Sequence, residues 1–470
     1  MIPTKQVTIF PNNKPWVTKD LKGVLNKKKR TFYQGTVEER KQVNQEVKAA
    51  VRRAKQTYKN KVESKFAGGD FRTAWQGIKS MAGLTTSDSR NRSHIKLQGV
   101  SDDNLPNDMN RFFTRFETRD FSLDTADVRL SLYLCTDIVI DQETVGRYLK
   151  ATKVNKSPGP DGICGRTLRF CADQLSGVFR DIFQSSVDTA TVPTIWKTST
   201  IIPIQKKTNP KELNDFRPVA LTSLVMKTLE KIIKSLIMSA TEQKLDPLQF
   251  AYRAGRGVDD AKLFILNKLY SHLEKSHAHA RILFADFSSA FNLMQPYVLA
   301  KKLMTDFHLC DQLTAWIIDF LSFCPQSVSV NGHVSNVIVT NTGSPQGCVL
   351  SPLLYILYTD NCRSRYEDRF LVKFADDSAL ISLLSGSEND HGDVLQEFVN
   401  WCDDSYLELN VLKTKELIVD FRKKVRDAPK TVIHGQEVEI VSEYKYLGTI
   451  FDDKLKWDVN TCTVVKKCQQ

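Results

Sequence analysis

Val43, Val47, Ala50, Ala54, Tyr58, Val62 and Phe66 recur at three- and four-residue steps, with Lys, Arg and other polar residues filling the positions between. That spacing lays an apolar stripe along one side of a helix, so one long helix is expected over 36–66, stopped by Gly68-Gly69. FRTAWQGIKSMAG (71–83) reads as a second, short helix, and the polar TTSDSRNRSH (85–94) as a linker at a domain boundary. NDMNRFFTRFET (107–118) and DQETVGRYLKATKVNKS (141–157) predict two further helices. From there to about 215, short β-rich runs alternate with turn signals, including strand-like TSTIIPIQKK (198–207) and a strand at FRPVALT. VMKTLEKIIKSLIMSAT (225–241) is helical in period.

Strands and helices then alternate. RILFADF (281–287) is a continuous apolar strand ending in aspartate, and YVLAKKLMTDF (297–307) and DQLTAWIIDFLSF (311–323) are helices. QSVSVNGHVSNVIVT (326–340) reads as a hairpin with Asn331-Gly332 at its turn. CVLSPLLYILYTDNC (348–362) is a helix, RFLVKFADDSALISLL (369–384) is strand, turn and strand, VLQEFVNWCDDSYLEL (394–409) is a helix, and KTKELIVDF (413–421) is a strand. The expected fold class is α+β, with a basic helical segment over 1–84, a connecting extension over 85–140, a main body over 141–425 and a C-terminal segment over 426–470.

Charge sharpens the first of these segments. The whole chain of 470 residues carries +12, yet residues 1–66 alone hold seventeen Lys+Arg against five Asp+Glu, so the remainder is balanced. A positive helix of this kind reads as a polyanion-binding arm or as a solvated basic helix. The ten cysteines include no C-x-x-C pair and the eight histidines form no matching half-site, which argues against zinc and for free thiols in a reducing compartment. The N-terminus shows no apolar signal region, and the nearest approach to a membrane span, TAWIIDFLSF, is broken by Asp319.

KFADDSALIS (373–382) sets Asp376 and Asp377 side by side between apolar runs. Two adjacent carboxylates repel, and burying them is costly. They either cap a solvated turn or hold a metal. Asp286 closes the strand ninety residues earlier, and GSPQG (343–347) lies between. A strand at 281–287 beside a hairpin at 370–384 would bring three carboxylates to one sheet edge. Oxygen ligands of that kind suit magnesium, which keeps waters and substrate phosphates in its other positions.

The ordered motifs SPGPDG (157–162), IIPIQKK (201–207), DFRPVALT (215–222), LQFAYRAGRG (248–257), FADFSSAFN (284–292), GSPQGCVLSP (343–352), KFADD (373–377), LNVLKTK (409–415) and YKYLG (444–448) resemble the reverse transcriptases of non-LTR retrotransposons. The likeness covers roughly 140–450. It implies a right-hand polymerase with fingers, an antiparallel palm sheet and a partial thumb, copying an RNA template from a DNA primer with deoxynucleoside triphosphates. It also implies two Mg²⁺ ions (Mn²⁺ as a substitute), residence in the nucleus or a cytoplasmic ribonucleoprotein, and no membrane.

Carried over by resemblance, Asp286 and Asp376 are the principal ligands of both ions, Asp377 the supporting carboxylate and the Phe287 carbonyl an extra ligand. Phe291 matches the aromatic under the nucleotide sugar, where a ring clashes with a 2′-hydroxyl; a core phenylalanine is the alternative. Lys206, with Lys207 adjacent, and Arg217 match fingers residues that grip the triphosphate. Gln346 matches the residue near the templating base pair, and Gly343 and Gly347 allow close backbone approach to nucleic acid. Lys413 matches a proton donor near the pyrophosphate, or is a surface lysine. Arg253 and Arg256 match template contacts, or are solvated arginines.

The chain departs from that pattern in showing no endonuclease before residue 1, only 22 residues after YKYLG, the order Asp360-Asn361 after the GSPQG helix, and Cys324 where arginine is frequent. The alternative to a polymerase is a remnant that binds RNA without catalysis; a carboxylate-metal phosphohydrolase on another fold is a third reading.

Overall fold

The computed structural model describes residues 14–67, 75, 77–78, 95, 97, 101–134, 137–386, 391–422 and 429–469. The chain divides into two compact units, Met1–Ile95 and Lys96–Gln470.

The first unit is a helical hairpin of Lys19–Gln34 and Val37–Ala67. Thr18 caps the first helix by accepting from the Leu21 N–H at 3.2 Å. The turn holds Gly35, where a Cβ would meet the Thr31 carbonyl oxygen at 2.8 Å. Thr36 and Glu39 then form a reciprocal cap: Glu39 Oε2 accepts from the Thr36 N–H at 2.7 Å, and the Thr36 hydroxyl accepts from the Glu39 N–H at 3.3 Å. Leu21, Val43 and Val62 are buried while the basic residues face solvent. The long helix thus follows its apolar stripe. Of the short helix expected over 71–83, only Trp75, Gly77 and Ile78 are described, all helical; Gly68-Gly69 and the 85–94 linker lie outside the described residues.

The second unit is α+β and is built on a five-stranded sheet. Its strands are β3 (Ala278–Ala285), β7 (Arg369–Phe374), β8 (Asp377–Ser385), β9 (Lys415–Asp420) and β12 (Glu439–Val441), in the order β12-β9-β3-β8-β7. All neighbours are antiparallel except β12 on β9. β3 is buried along its whole length. Its alternate residues enter two cores: Ala280, Ile282 and Phe284 pack with Ile265 and Leu269 of the Val258–Leu273 helix, and Leu283 and Ala285 join a larger helical core. That two-sided burial is why RILFADF shows no polar alternation. Arg281 and Glu416 form a buried bidentate pair at 2.6 and 2.9 Å, on neighbouring strands β3 and β9. Such a pair adds little net stability but penalises any register slip that separates its charges.

A second sheet joins β1 (Ser199–Gln205), β2 (Phe216–Leu221), β4 (Cys324–Val330), β5 (His333–Val334) and β6 (Ile338–Thr340). At its hairpin, Asn331 and Gly332 both take positive φ (52° and 87°), the pairing a tight two-residue turn requires. Two small hairpins, β10–β11 (Val432–Ile433, Gln436–Glu437) and β13–β14 (Glu443–Tyr446, Thr449–Asp452), complete the strands, and a helix Asp458–Gln469 follows.

Several expectations need correcting. The region before β1 is helical, with Gly165–Phe170, Ala172–Asp188 and Thr194–Lys197. Ala172, Ser176, Phe183, Ser186 and Val187 line its buried face, and the small and hydroxyl residues there disguise the helical period. The helix expected over 107–118 is Leu105–Phe113, ending where the Thr114 hydroxyl returns to the Asn110 carbonyl at 2.9 Å. That over 141–157 is Gln142–Lys150, where the Thr152 hydroxyl returns to the Tyr148 carbonyl at 3.2 Å. The GSPQG helix occupies only Ser351–Tyr358.

Candidate active site

Asp286 follows β3 by one residue, and the register Ala285↔Ser378 sets it beside the start of β8. β7 and β8 close with Phe374 opposite Asp377, so Ala375 and Asp376 form a two-residue turn. Ala375 has φ +57° at the first of these positions, where glycine is usual. A β-carbon in that conformation costs about 1–2 kcal/mol, so the surroundings must hold it. They do so through Lys373, whose buried ammonium lies 2.8 Å from the Asp246 carboxylate and donates to the carbonyls of Thr359 (2.8 Å) and Cys362 (2.7 Å). Its backbone pairs with the 248–250 segment through Lys373 N–H to Leu248 O and Phe250 N–H to Lys373 O, both 2.9 Å.

The Asp286 backbone is clamped by the LNVLKTK segment: Asn410 N–H donates to its carbonyl at 2.8 Å, and its own N–H reaches the Thr414 hydroxyl at 3.4 Å. Lys413 brings its ammonium to 3.4 Å from Asp286 Oδ2, an oxygen that is buried and accepts no hydrogen bond. Loss of surrounding solvent, then the charges of Asp376 and Asp286, push the Asp377 carboxyl up to about 6. Burial followed by the same carboxylates raises Tyr252 (Asp376) and Tyr444 (Asp377 and Asp286). Asp377 thus feels two further carboxylates at its edge, a field suited to a hard cation. Among the described residues no three His, Cys, Asp or Glu side chains close around one point, so an ion would need further oxygens from water or substrate. The oxygen donor set, with an Asp286 Oδ2 that accepts no hydrogen bond, fits a hard divalent cation such as magnesium.

Of the residues that the resemblance assigns to the nucleotide, Phe291 sits on the turn Ala290–Leu293, its ring 4.7 Å from Tyr355 at 31°. Its carbonyl accepts from the Ser344 N–H at 2.9 Å, and Gly343 N–H donates to Met294 O at 2.7 Å. Gly343 has φ +79°, and a Cβ there would stand 2.7 Å from Asn292 Cα. Gly347 has φ +130°, with a Cβ 2.7 Å from the Ala220 carbonyl oxygen, while Ala220 N–H donates to Gln346 O at 2.8 Å. Both glycines are thus needed to thread the loop between the Phe291 turn and β2.

Arg217 lies on β2 opposite Ile204. Lys206, just beyond β1, donates from its ammonium to Asn214 O at 2.7 Å. Burial, then Lys413, Arg217 and Arg115, lowers the Lys206 pKa, which marks a cluster of four cations. Lys207 turns elsewhere, to Asp215 at 2.8 Å, and that contact with backbone hydrogen bonds holds Asp215 down to about 2. Arg115 escaped the sequence reading; its guanidinium lies 3.8 Å from the Phe112 ring and 4.1 Å from Phe116. Its signal was the placing of Arg115 between Phe112-Phe113 and Phe116 in RFFTRF.

Arg253 and Arg256 donate to backbone carbonyls of their own loop, Arg253 to Asp246 at 2.8 Å and Arg256 to Pro247. Phe287 is buried and its backbone bridges Leu409. Asp360 accepts from the Asp246 N–H at 2.7 Å and Asn361 from the Trp401 indole at 3.0 Å, so that pair braces the fold. Burial pushes the Cys324 thiol up to about 12, leaving it unreactive.

Residues 204–451 match the protein family described as reverse transcriptase (RNA-dependent DNA polymerase). Among curated proteins, the chain is 27% identical over 330 residues to the RNA-directed DNA polymerase from mobile element jockey of Drosophila melanogaster, covering 67% of this chain and 35% of that protein. It is 28% identical over 312 residues to the probable RNA-directed DNA polymerase from transposon X-element of the same species, covering 64% and 34%. To the Pol polyprotein of the type-1 retrotransposable element R1 of Bradysia coprophila it is 23% identical over 327 residues, covering 68% and 32%. The chain thus spans about a third of the length of these relatives.

Proposed function

The chain belongs to the reverse transcriptase (RNA-dependent DNA polymerase) family, and on that premise we propose that it extends a primer 3′-hydroxyl with deoxynucleoside triphosphates along an RNA template. The observation that carries the reading is the β3–β8 pairing, which sets Asp286 beside Asp376-Asp377, with the Gly343–Gly347 loop hydrogen-bonded to the Phe291 turn that follows Asp286. In this reading the five-stranded sheet is the palm, the β1–β2 hairpin belongs to the fingers, and residues 426–470 form a partial thumb.

Asp286 and Asp376, supported by Asp377 and the Phe287 carbonyl, would hold two Mg²⁺ ions, which supply stabilisation of charge on the attacking and leaving oxygens. The protein's own groups do the rest. Lys206 and Arg217 offset the triphosphate charge and align it, the arginine by a planar fork and the lysine as a point charge. Phe291, backed by Tyr355, limits space beside the sugar C2′ and so selects deoxynucleotides. The Gln346 loop lies against the templating base pair. Lys413 stands where it can give a proton to the departing pyrophosphate. The exposed lysines and arginines of the first unit hold RNA phosphates without reading sequence. A site of action in the nucleus, in a cytoplasmic ribonucleoprotein, or in both follows from the same reading.

The test is Mg²⁺-dependent primer extension on an RNA template. Wild-type extension that is lost in Asp376→Asn supports the proposal. Extension surviving that change removes Asp376 from the site, and no extension by the wild type leaves the RNA-binding reading.

A further inference from the structure

Glu230, on the Leu224–Thr241 helix, is completely buried. Its Oε2 accepts two backbone hydrogen bonds, from Val349 N–H at 2.5 Å and Leu350 N–H at 2.9 Å. Its Oε1 is buried and accepts none. The neighbours Val225, Leu229, Ile233 and Leu350 belong to the main apolar core. Burial pushes the carboxyl up to about 7, against the pull of the two N–H groups. The charged groups facing it are Lys227 and Lys231 of its own helix, with Lys156 acting on Lys231 and the Tyr148 ring 5.5 Å from the Lys231 ammonium. From the loop side it meets the Cys348 thiol, which burial raises. A half-satisfied acid in an apolar core is a poor stabiliser; an apolar residue of the same volume would serve the core better.

Its two partners explain its presence. Val349 and Leu350 connect the Gly343–Cys348 loop to the Ser351–Tyr358 helix. The loop is fastened again by the Ser344–Ser351 hydroxyl pair at 2.6 Å and by the Ser351 hydroxyl donating to Pro345 O at 2.9 Å. That helix carries Tyr355 beneath Phe291, and the carbonyls beyond its end hold Lys373 on the strand leading to Asp376. One rod therefore touches the loop of Gln346, the ring of Phe291 and the base of the carboxylate hairpin, and Glu230 anchors its start.

We infer that Glu230 is a positioning residue of the nucleotide site, fixing the Gln346 loop through Val349 and Leu350 rather than serving the stability of the core. The kinetic arm of the test rests on the polymerase reading; the exchange arm does not.

The full chain is compared with Glu230→Met, which keeps the volume and removes both acceptors, and Glu230→Gln, which keeps one neutral acceptor. In Glu230→Met, amide hydrogen exchange at Val349 and Leu350 accelerates while the melting temperature at pH 8 is not lowered. In primer extension the same variant raises KM for the deoxynucleotide about tenfold or more, with template–primer affinity unchanged, because small misplacements are costly at a reacting centre. Glu230→Gln recovers part of that loss. Wild-type KM rises more steeply than that of Glu230→Gln as pH falls below about 7, the value to which the buried carboxyl is pushed, the Asp377 carboxyl contributing equally to both. If Glu230→Met fails to fold, that pH contrast decides the matter. Unchanged exchange and unchanged KM in the Met variant, or identical pH profiles, overturn the inference. Absence of extension by the wild type overturns the polymerase reading alone, and exchange at Val349 and Leu350 still judges the anchor.

Discussion

The ammonium of Lys413 lies 3.4 Å from Oδ2 of Asp286, the buried carboxylate oxygen that accepts no hydrogen bond. Lys413 is two-thirds exposed, so the pair is worth little as a stabilising bridge. Its position matters more: it is the link between the carboxylate edge and the cations around Lys206. Replacing Lys413 with Ala is expected to lower kcat for nucleotide incorporation about 10²-fold, the scale of a lost general acid, with little change in melting temperature. Single-turnover incorporation is the measurement. A large rise in KM at unchanged kcat would instead make Lys413 a triphosphate contact.

Lys206 and Lys207 are neighbours in sequence but not in role. Lys207 is engaged with Asp215 at 2.8 Å, whereas Lys206 senses Arg217, Lys413 and Arg115. Lys206→Ala should therefore raise KM for every deoxynucleotide about tenfold, as expected for the loss of a charge-assisted contact worth about 1.5–3 kcal/mol. Lys207→Ala should leave KM within about twofold, because the half-exposed Lys207 side chain is engaged with Asp215 and not with the Lys206 cluster. Steady-state kinetics on one template compares the two directly, and equal effects would reject the assignment.

The half-buried Phe291 ring rests on Tyr355 and its backbone is tied to Ser344, so the ring cannot easily retreat from a bulkier sugar. Phe291→Val should raise ribonucleotide incorporation relative to deoxynucleotide about tenfold or more, the scale of a single steric contact in a pocket. Competition between the two nucleotides at one template position reads this out. An unchanged ratio would return Phe291 to the core.

What the sequence revealed divides along physical lines. β3 was legible because burial on both faces leaves an unbroken apolar run that ends abruptly at Asp286. The β7–β8 hairpin was legible for the same reason on either side of Asp376-Asp377. The helix Ala172–Asp188 was not, since Ser176 and Ser186 occupy core-facing positions that a hydrophobic count passes over. The Val258–Leu273 helix also went unread; its buried set is Ala261, Ile265, Leu269 and His272, only two of them large aliphatics. Buried charges are the hardest case. Lys373, Arg281, Glu416 and Glu230 look like surface residues in the sequence, and only tertiary contacts such as Lys373 with Asp246 reveal what neutralises them.

The basic helix of the first unit should dominate the salt dependence of RNA binding. Lys41, Lys48, Arg52 and Arg53 are all exposed on Val37–Ala67. Each single-strand phosphate contact contributes about 0.7 to the slope of log K against log salt. Changing all four to Gln should shallow that slope by up to about 3 while leaving sequence preference unaltered. Fluorescence anisotropy across a salt series measures it, and an unchanged slope would show that RNA is held elsewhere.

Asp377 connects pH, metal and stability. Its carboxyl is raised from 3.8 to about 6, first by lost solvation and then by Asp376 and Asp286. Between those two values the folded chain holds a proton that the unfolded chain has released. The contribution to stability is thus fully present below pH 3.8 and disappears as pH rises through about 6. Without divalent cation, the melting temperature of wild type should fall relative to Asp377→Asn as pH climbs from 5 to 7. Magnesium should reverse this, because an ion that binds only the folded chain stabilises it and favours the ionised carboxylates. The stabilisation by Mg²⁺ should accordingly be larger at pH 7.5 than at pH 5.5, with proton release on binding at the lower pH. Thermal melts over that grid, repeated in Asp376→Asn, carry the check. A magnesium response that ignores both pH and Asp376 would mean that the ion is not bound at this edge, and that the aspartate pair is a solvated turn.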